Sequence, residues 1–508
     1  MSVAPENLSH EELVKAYYQQ QAHIEELKRY TTWLNRQLFG QKTERLEKYP
    51  SSGKQLTLGA RYEPEATPPP ATEPVKHYER RRRTNEVKFA VEDSKLKFEK
   101  SVPQKVITVP NILAQGLSSD EYEVIGEEVS YRLSQSPGPY VVLKYVRPTI
   151  KVKETGEIST APVTSASAVI ERSVAEVSFL VGLLLDKFQY HLPLYRQHQR
   201  LTASGIHISR GTLTNLVHRA AQLLEPVYVA LQSSILLSHT LAIDETPIKA
   251  GRKVKGRMHQ GYLWGMYGDK EELAFLYAST RSGKVLTENL SGFEGTLVTD
   301  GYSAYERFAE QREDICHAQC WVHVRKKFFD AKDAAPELSE KALSCIGILY
   351  EIEKTYSRKE RSSRALPVVD EFFAWLKEVF QSQALLPSDP FVKAASYALS
   401  RERALRVFLS DEKVPLDTNH LERQIRPVAV GRKNWLFCWT EVGAEYAAIA
   451  QSIIASCKLQ NVDPYTYLVD LLQRVESHPM REVHLLTPRL WKKHFAQNSY
   501  LSDLDGSP

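Results

Sequence analysis

Two apolar segments that each end on an aspartate constrain this chain more than any other feature. Residues 239–250, HTLAIDETPIKA, form a strand pattern that breaks into acids at Asp244. Residues 295–308, GTLVTDGYSAYERF, form a second strand that ends at Asp300 and turns at Gly301 into a helix. Between them, GYLWGMYG and LAFLYAST read as a hairpin around Asp269-Lys270-Glu271-Glu272. A mostly helical stretch follows over about 325–412, then a helix-loop-helix block that carries Glu422 in its first helix. The expectation is an α/β core over 233–455 with a helical insertion.

Strand-end carboxylates in such sheets face the crevice at the strands' C-terminal edge. Three acids converging there repel one another unless cations neutralise them. Carboxylate oxygens suit Mg²⁺ or Mn²⁺. Two such ions, about 3.5–4 Å apart, serve displacement at phosphorus. Taken singly, each acid has a plainer reading. Asp244 and Asp300 are also ordinary polar strand ends, and Asn419-x-x-Glu422 fits a capping box. The order strand-Asp, hairpin, strand-Asp, helical insert, helix-Glu is the layout of a ribonuclease-H-like polynucleotidyl transferase. It favours Asp244, Asp300 and Glu422 as catalytic, metal-holding residues.

Upstream, residues 1–46 read as a coiled-coil helix. Leu13, Tyr17, Gln20, Ile24, Leu27, Thr31, Leu34 and Leu38 alternate at spacings of four and three. Such a seam needs a partner, either a second copy in a homo-oligomer or the protein's own body. Residues 47–104, with Pro68-Pro69-Pro70 and Arg80-Arg81-Arg82-Arg83, read as a flexible linker. The arginines suit phosphate contacts or simple solvation. Residues 105–165 are β-rich and residues 166–232 helical. Within the latter, Gly205 separates two helical stretches and Ser209 can cap the second. This is helix-turn-helix shape, or else an ordinary helical hairpin. Arg210, Thr212, Thr214, Asn215 and His218 are the candidate groove-facing residues. Residues 456–508 close the chain as a helical region and tail.

At 508 residues the chain calls for several domains, and a net charge of +4 leaves nucleic-acid binding to local clusters. The five cysteines all lie in the second half and are odd in number, which points to a reducing cytoplasm rather than a disulfide scaffold. No signal-like apolar core is evident. The longest apolar run, 179–185, is too short to span a membrane.

Several blocks carry a resemblance: LFGQKTERL (38–46), DKFQYHLPLYRQ (186–197), IDETPIK (243–249), LWGMYGD (263–269), GFEGTLVTDGYSAYE (292–306), CWVHVRKKFFD (320–330), PLDTNHLERQIRPVAVGRKNWLF (415–437) and CKLQNVDPYTYL (457–468). In order and spacing they resemble the bacterial DDE transposases of insertion-sequence family sixty-six, the large catalytic subunit. The resemblance implies an acidic triad on Asp244, Asp300 and Glu422 and two divalent ions. It also implies cleavage at transposon ends followed by strand transfer, small accessory proteins of the same element, and a nucleoid-associated enzyme with DNA as its partner. A nuclease without strand transfer and an inactive DNA-binding relative are the alternatives. His323 and Arg325, in the Cys-x-x-His block, suit support of the triad or phosphate contact, as do Arg423, Arg426, Arg432 and Lys433. Zinc on Cys316, Cys320 and His323 is disfavoured for want of a fourth ligand. One departure stands out. The family carries two Cys-x-x-Cys pairs in the β-rich segment, yet 105–165 holds no cysteine, and Val152 and Thr155 stand where the second pair belongs.

Overall fold

The computed structural model describes residues 121–505 except 136–139, 162–168, 171–172, 255–256 and 383–388, together with parts of 91–118 and with Gln20, Gln21 and Ile24. The rest of the heptad segment and the arginine run Arg80 to Arg83 lie outside the described residues.

The first described strands, β1 (Val91–Glu92) and β2 (Lys97–Phe98), pair antiparallel inside the stretch expected to be linker. Leu96 and Phe98 are buried in the main core, and that burial orders the end of the segment. Strands β3 (Gln104–Thr108), β4 (Tyr122–Gln135), β5 (Tyr140–Val152) and β6 (Ile158–Thr160) form a four-stranded sheet. The β5–β6 turn, where the resemblance puts a cysteine pair, is closed by backbone hydrogen bonds. Val152 N–H donates to Glu157 O at 2.9 Å, Gly156 N–H donates to Val152 O at 2.8 Å, and Gly156 supplies the left-handed φ of 70°. Val152 itself is buried.

Helices α1 (Val177–Phe188) and α2 (Leu194–Ala203) follow, then the short β7 (Ile206–His207) and the long α3 (Arg210–Leu236). Strand β7 completes a small sheet by pairing with β2. Helix α3 starts where its sequence says. The Ser209 hydroxyl accepts the Thr212 N–H at 3.0 Å.

The second half is built on a five-stranded sheet of order β10-β9-β8-β11-β12. Its members are β8 (Thr240–Val254), β9 (Arg257–Gly268), β10 (Glu272–Ala278), β11 (Gly295–Thr299) and β12 (Ile315–Gln319). The first three run antiparallel, while β11 lies parallel to both β8 and β12. Helix α4 (Gly283–Asn289) precedes β11, α5 (Ser303–Glu310) follows it, and α6 (Trp321–Asp330) follows β12. The insertion contributes α7 (Pro336–Thr355), α8 (Arg358–Ser382), α9 (Pro390–Leu399), α10 (Glu402–Leu405) and α11 (Val407–Ser410). Helices α12 (Asn419–Trp435), α13 (Glu441–Leu459), α14 (Pro464–Arg474) and α15 (Pro488–His494) end the order.

Alternation along the strands sorts side chains into two cores. Ile243, Trp264 and Leu297 join one core with α1, α3, α5, α13 and α14. Ala242, Leu263 and Val298 join the other with α6, the insertion and α12. By the same alternation, Asp244 continues the register of Ala242, toward α12, and Glu245 that of Ile243, toward α5. Among the described residues no helix is long and apolar enough to cross a membrane.

Candidate functional site

Asp244 sits in β8 opposite Gly265 of β9. A β-carbon on Gly265 would stand 3.1 Å from Leu421 Cδ1 and 3.5 Å from Ile425 Cγ1. The glycine therefore lets α12 close on the sheet beside Asp244. Glu422 follows Leu421 in the first turn of that helix. It does not cap it: the helix starts after Thr418, and no side chain caps it. The capping-box reading of Glu422 thus drops out. Its carboxylate faces His323 of α6, with Nε2 3.8 Å from Oε1.

The Cys-x-x-His block explains how α6 and α12 meet. Cys320 Sγ accepts the Thr418 N–H at 3.3 Å, and Trp321 N–H donates to Leu416 O at 3.1 Å. Burial pushes the Cys320 thiol up to about 11, so it stays protonated at neutral pH. Trp321 is fully buried, donates to Leu405 O at 2.9 Å and stacks edgewise on Phe372, Phe373 and Phe408. The cysteine and tryptophan stitch the two helices together, and the histidine two residues on emerges beside Glu422.

Asp300 follows β11 directly, and its Oδ1 accepts the Tyr302 N–H at 2.8 Å. The next residue, Gly301, leaves room for the Tyr397 ring of α9, and Arg401 donates to Gly301 O at 3.2 Å. The insertion therefore presses on the Asp300 turn. Behind it, His317 Nε2 lies 2.9 Å from Thr299 Oγ1, and burial beside Arg401 pushes this imidazole down to about 4. It is neutral at pH 7. Sequence reasoning read Gly301 only as a turn and passed over Tyr397, Arg401 and His317, whose shared surroundings are visible only in three dimensions.

Electrostatics ties the acids together. The Asp244 carboxyl is pushed up to about 7, first by burial, then by the charges of Glu245 and Asp300, with Glu422 adding a smaller share. Its Oδ1 accepts the Glu245 N–H at 2.8 Å. Among the described residues no group of three or more His, Cys, Asp or Glu stands as a ready ligand cluster. In chemistry the donors nonetheless fit a hard divalent cation. Asp244 and Asp300 each spend one oxygen on a backbone N–H and face other acids, and added positive charge relieves that crowding.

The predicted cation set divides. Arg325 on α6 and Arg423, Arg426 and Lys433 on α12 are exposed. Arg432 is half-buried and has part of its guanidinium spent. Its Nη1 donates to Thr246 Oγ1 and Pro247 O, both at 2.7 Å, and so clamps α12 to β8. On α3, Arg210 is exposed and lies 5.8 Å from the Tyr195 ring centroid. Thr212, Thr214 and Asn215 are half-buried, and the Thr214 hydroxyl returns to Arg210 O. His218 is 3% exposed, with its ring 4.9 Å from that of Tyr446. It faces the core rather than any groove, because α13 packs on that side of α3.

Comparison with known proteins places these residues in one lineage. Residues 172–446 match the Transposase IS66 family, and residues 452–488 match the IS66 C-terminal element. The uncharacterized protein y4hP of Sinorhizobium fredii is 28% identical over 430 residues, covering 78% of this chain and 77% of its own length. A second, y4jD of the same organism, is 29% identical over 413 residues, covering 76% and 80%. The first family match contains Asp244, Asp300, Glu422, α3 and the exposed cations of α12, and it spans more than half of the sequence: this chain belongs to the IS66 transposase family.

Proposed function

We propose that the protein is a DDE-type DNA transposase that cleaves at transposon ends and joins the freed 3′-ends to target DNA. One observation carries the reading: Asp244, Asp300 and Glu422 come from β8, the end of β11 and α12, and the charges of Asp300 and Glu422 both bear on the Asp244 carboxyl. The strand order, with three antiparallel strands followed by two parallel to β8, supports a ribonuclease-H-like core.

Asp244, Asp300 and Glu422 would hold two Mg²⁺ or Mn²⁺ ions. Bound ions of this kind supply Lewis-acid charge and a nucleophile at neutral pH. The chain's part is positioning. His323 stands against Glu422 and restricts its carboxylate. Arg325, Arg423, Arg426 and Lys433 present charge for DNA phosphates along the same helices. The α2–β7–α3 unit, with Arg210 at its exposed start, is proposed to hold the element's end. The N-terminal heptads are proposed to pair two copies.

The test uses DNA carrying the inverted repeats that flank the gene. Wild-type protein with Mg²⁺ should nick at the repeat boundary and should join a pre-cut 3′-end to a second duplex. Asp300→Asn should do neither. Cleavage by Asp300→Asn at the wild-type rate defeats the assignment. Cleavage without joining reduces the protein to a nuclease.

A further inference from the structure

Glu245 follows Asp244 yet turns to the other face of the sheet, and its side chain is 1% exposed. A carboxylate so placed is costly unless it is paired. Arg281, between β10 and α4, forms an ion pair with it, and the Tyr305 hydroxyl donates to its other oxygen. Arg281 is held in turn. Its guanidinium lies 4.0 Å from the Tyr302 ring centroid, and the Tyr302 hydroxyl donates to Arg281 O at 2.6 Å.

The two ends of this chain of contacts are Asp244, within β8, and Asp300, just past the end of β11. The Glu245 N–H donates to Asp244 Oδ1, and the Tyr302 N–H donates to Asp300 Oδ1. The backbone ladder does not link them. Strands β8 and β11 pair only from Thr240 with Thr296 to Ala242 with Val298. Both aspartates lie two residues past the last pair, where the strands are free to splay.

We propose that Glu245, Arg281 and Tyr302 are positioning residues, a strap that sets the separation of Asp244 and Asp300 beyond the end of their ladder. This rests on the reading of those aspartates as cation ligands. None of the three would touch the ion. They act through the two carboxylates, as outer contacts do at metal sites, where their loss typically costs about 10–100-fold in affinity.

The test titrates Mn²⁺ alone into the full-length protein and reads free Mn²⁺ by electron paramagnetic resonance, without DNA. Tyr302→Phe removes the hydroxyl that holds Arg281 but keeps the ring and every charge, so the fold should survive. It should weaken Mn²⁺ binding several-fold. Arg281→Gln should weaken it by about 10-fold or more, and Arg281→Lys should recover part of that loss. Wild-type affinity in both Tyr302→Phe and Arg281→Gln, with binding lost in Asp300→Asn, overturns the strap and leaves the aspartates as ligands. Tighter binding in Arg281→Gln also overturns it, because Glu245 would then be a restrained charge and not a support. Unchanged binding in Asp300→Asn removes the underlying reading and the strap with it.

Discussion

Asp470 on α14 and Asp244 on β8 are both carboxylates withdrawn from solvent, and they differ in everything around them. Asp470 is fully buried and satisfied. It accepts from Arg474 at 2.6 and 2.9 Å, from Trp491 Nε1 at 2.6 Å and from the Tyr500 N–H at 2.7 Å. Asp244 has one backbone N–H and a surround of acids. The first arrangement is finished as it stands and holds the C-terminal helices together. The second is crowded with like charge, which a proton or a bound cation relieves. Burial alone therefore does not mark a functional acid. Burial combined with unmet charge makes an acid a candidate.

The contrast can be broken at either end. The largest effect is expected from Asp244→Asn or Asp300→Asn, which should lower Mg²⁺-dependent cleavage of end DNA by at least ~10³-fold, since several kcal/mol of charge stabilisation depends on the held ions. Asp470→Ala should do the reverse. It strands the Arg474 charge and should cost about 3 kcal/mol of stability in a denaturant titration, with cleavage per folded molecule unchanged. A smaller effect of opposite sign belongs to the metal-free protein. The folded-state value of Asp244 lies above the unfolded one, so its ionisation costs the fold stability above about pH 7, and that cost fades as pH falls toward the usual carboxylate range. Asp244→Asn should therefore raise stability by on the order of 1–2 kcal/mol at pH 8, with the gain shrinking toward pH 4. Loss of stability in Asp244→Asn at pH 8 would show that the acid is paired after all. The smallest effect separates spent from free cations. Lys433→Gln should lower the salt slope of DNA binding by about 0.9. Arg432→Gln should leave the slope alone and cost about 1 kcal/mol of stability.

How much of this was legible in the sequence follows from the range of the interactions. Asp244 and Asp300 stood out as candidates because an apolar run that meets an acid is a local pattern, although β8 does not end at Asp244 but runs on to Val254. The start of α3 could be found because Ser209 and Thr212 are near neighbours. For Arg432 the choice between support of the triad and phosphate contact stayed open, because its partners, Thr246 and Pro247, are far away in sequence. His218 was misread for the same reason, its neighbour Tyr446 lying on α13. Glu245 offered a signal that was missed. In a strand that alternates Leu241, Ile243 and Glu245 on one face, an acid in a core-facing register needs a partner, and that question leads to Arg281. Leu96 and Phe98 were hidden by the polar composition around them.

The insertion also fixes when the site comes into being. Asp300 leaves the ribosome more than a hundred residues before Glu422. At 5–20 residues per second the delay is on the order of ten seconds. Through that interval the nascent protein carries two aspartates without the helix that completes them. The contacts of Cys320 with Thr418 and of Trp321 with Leu416 close only after the insertion has been made. A chain truncated anywhere in the insertion thus lacks Glu422, and on the proposed reading it carries no complete site.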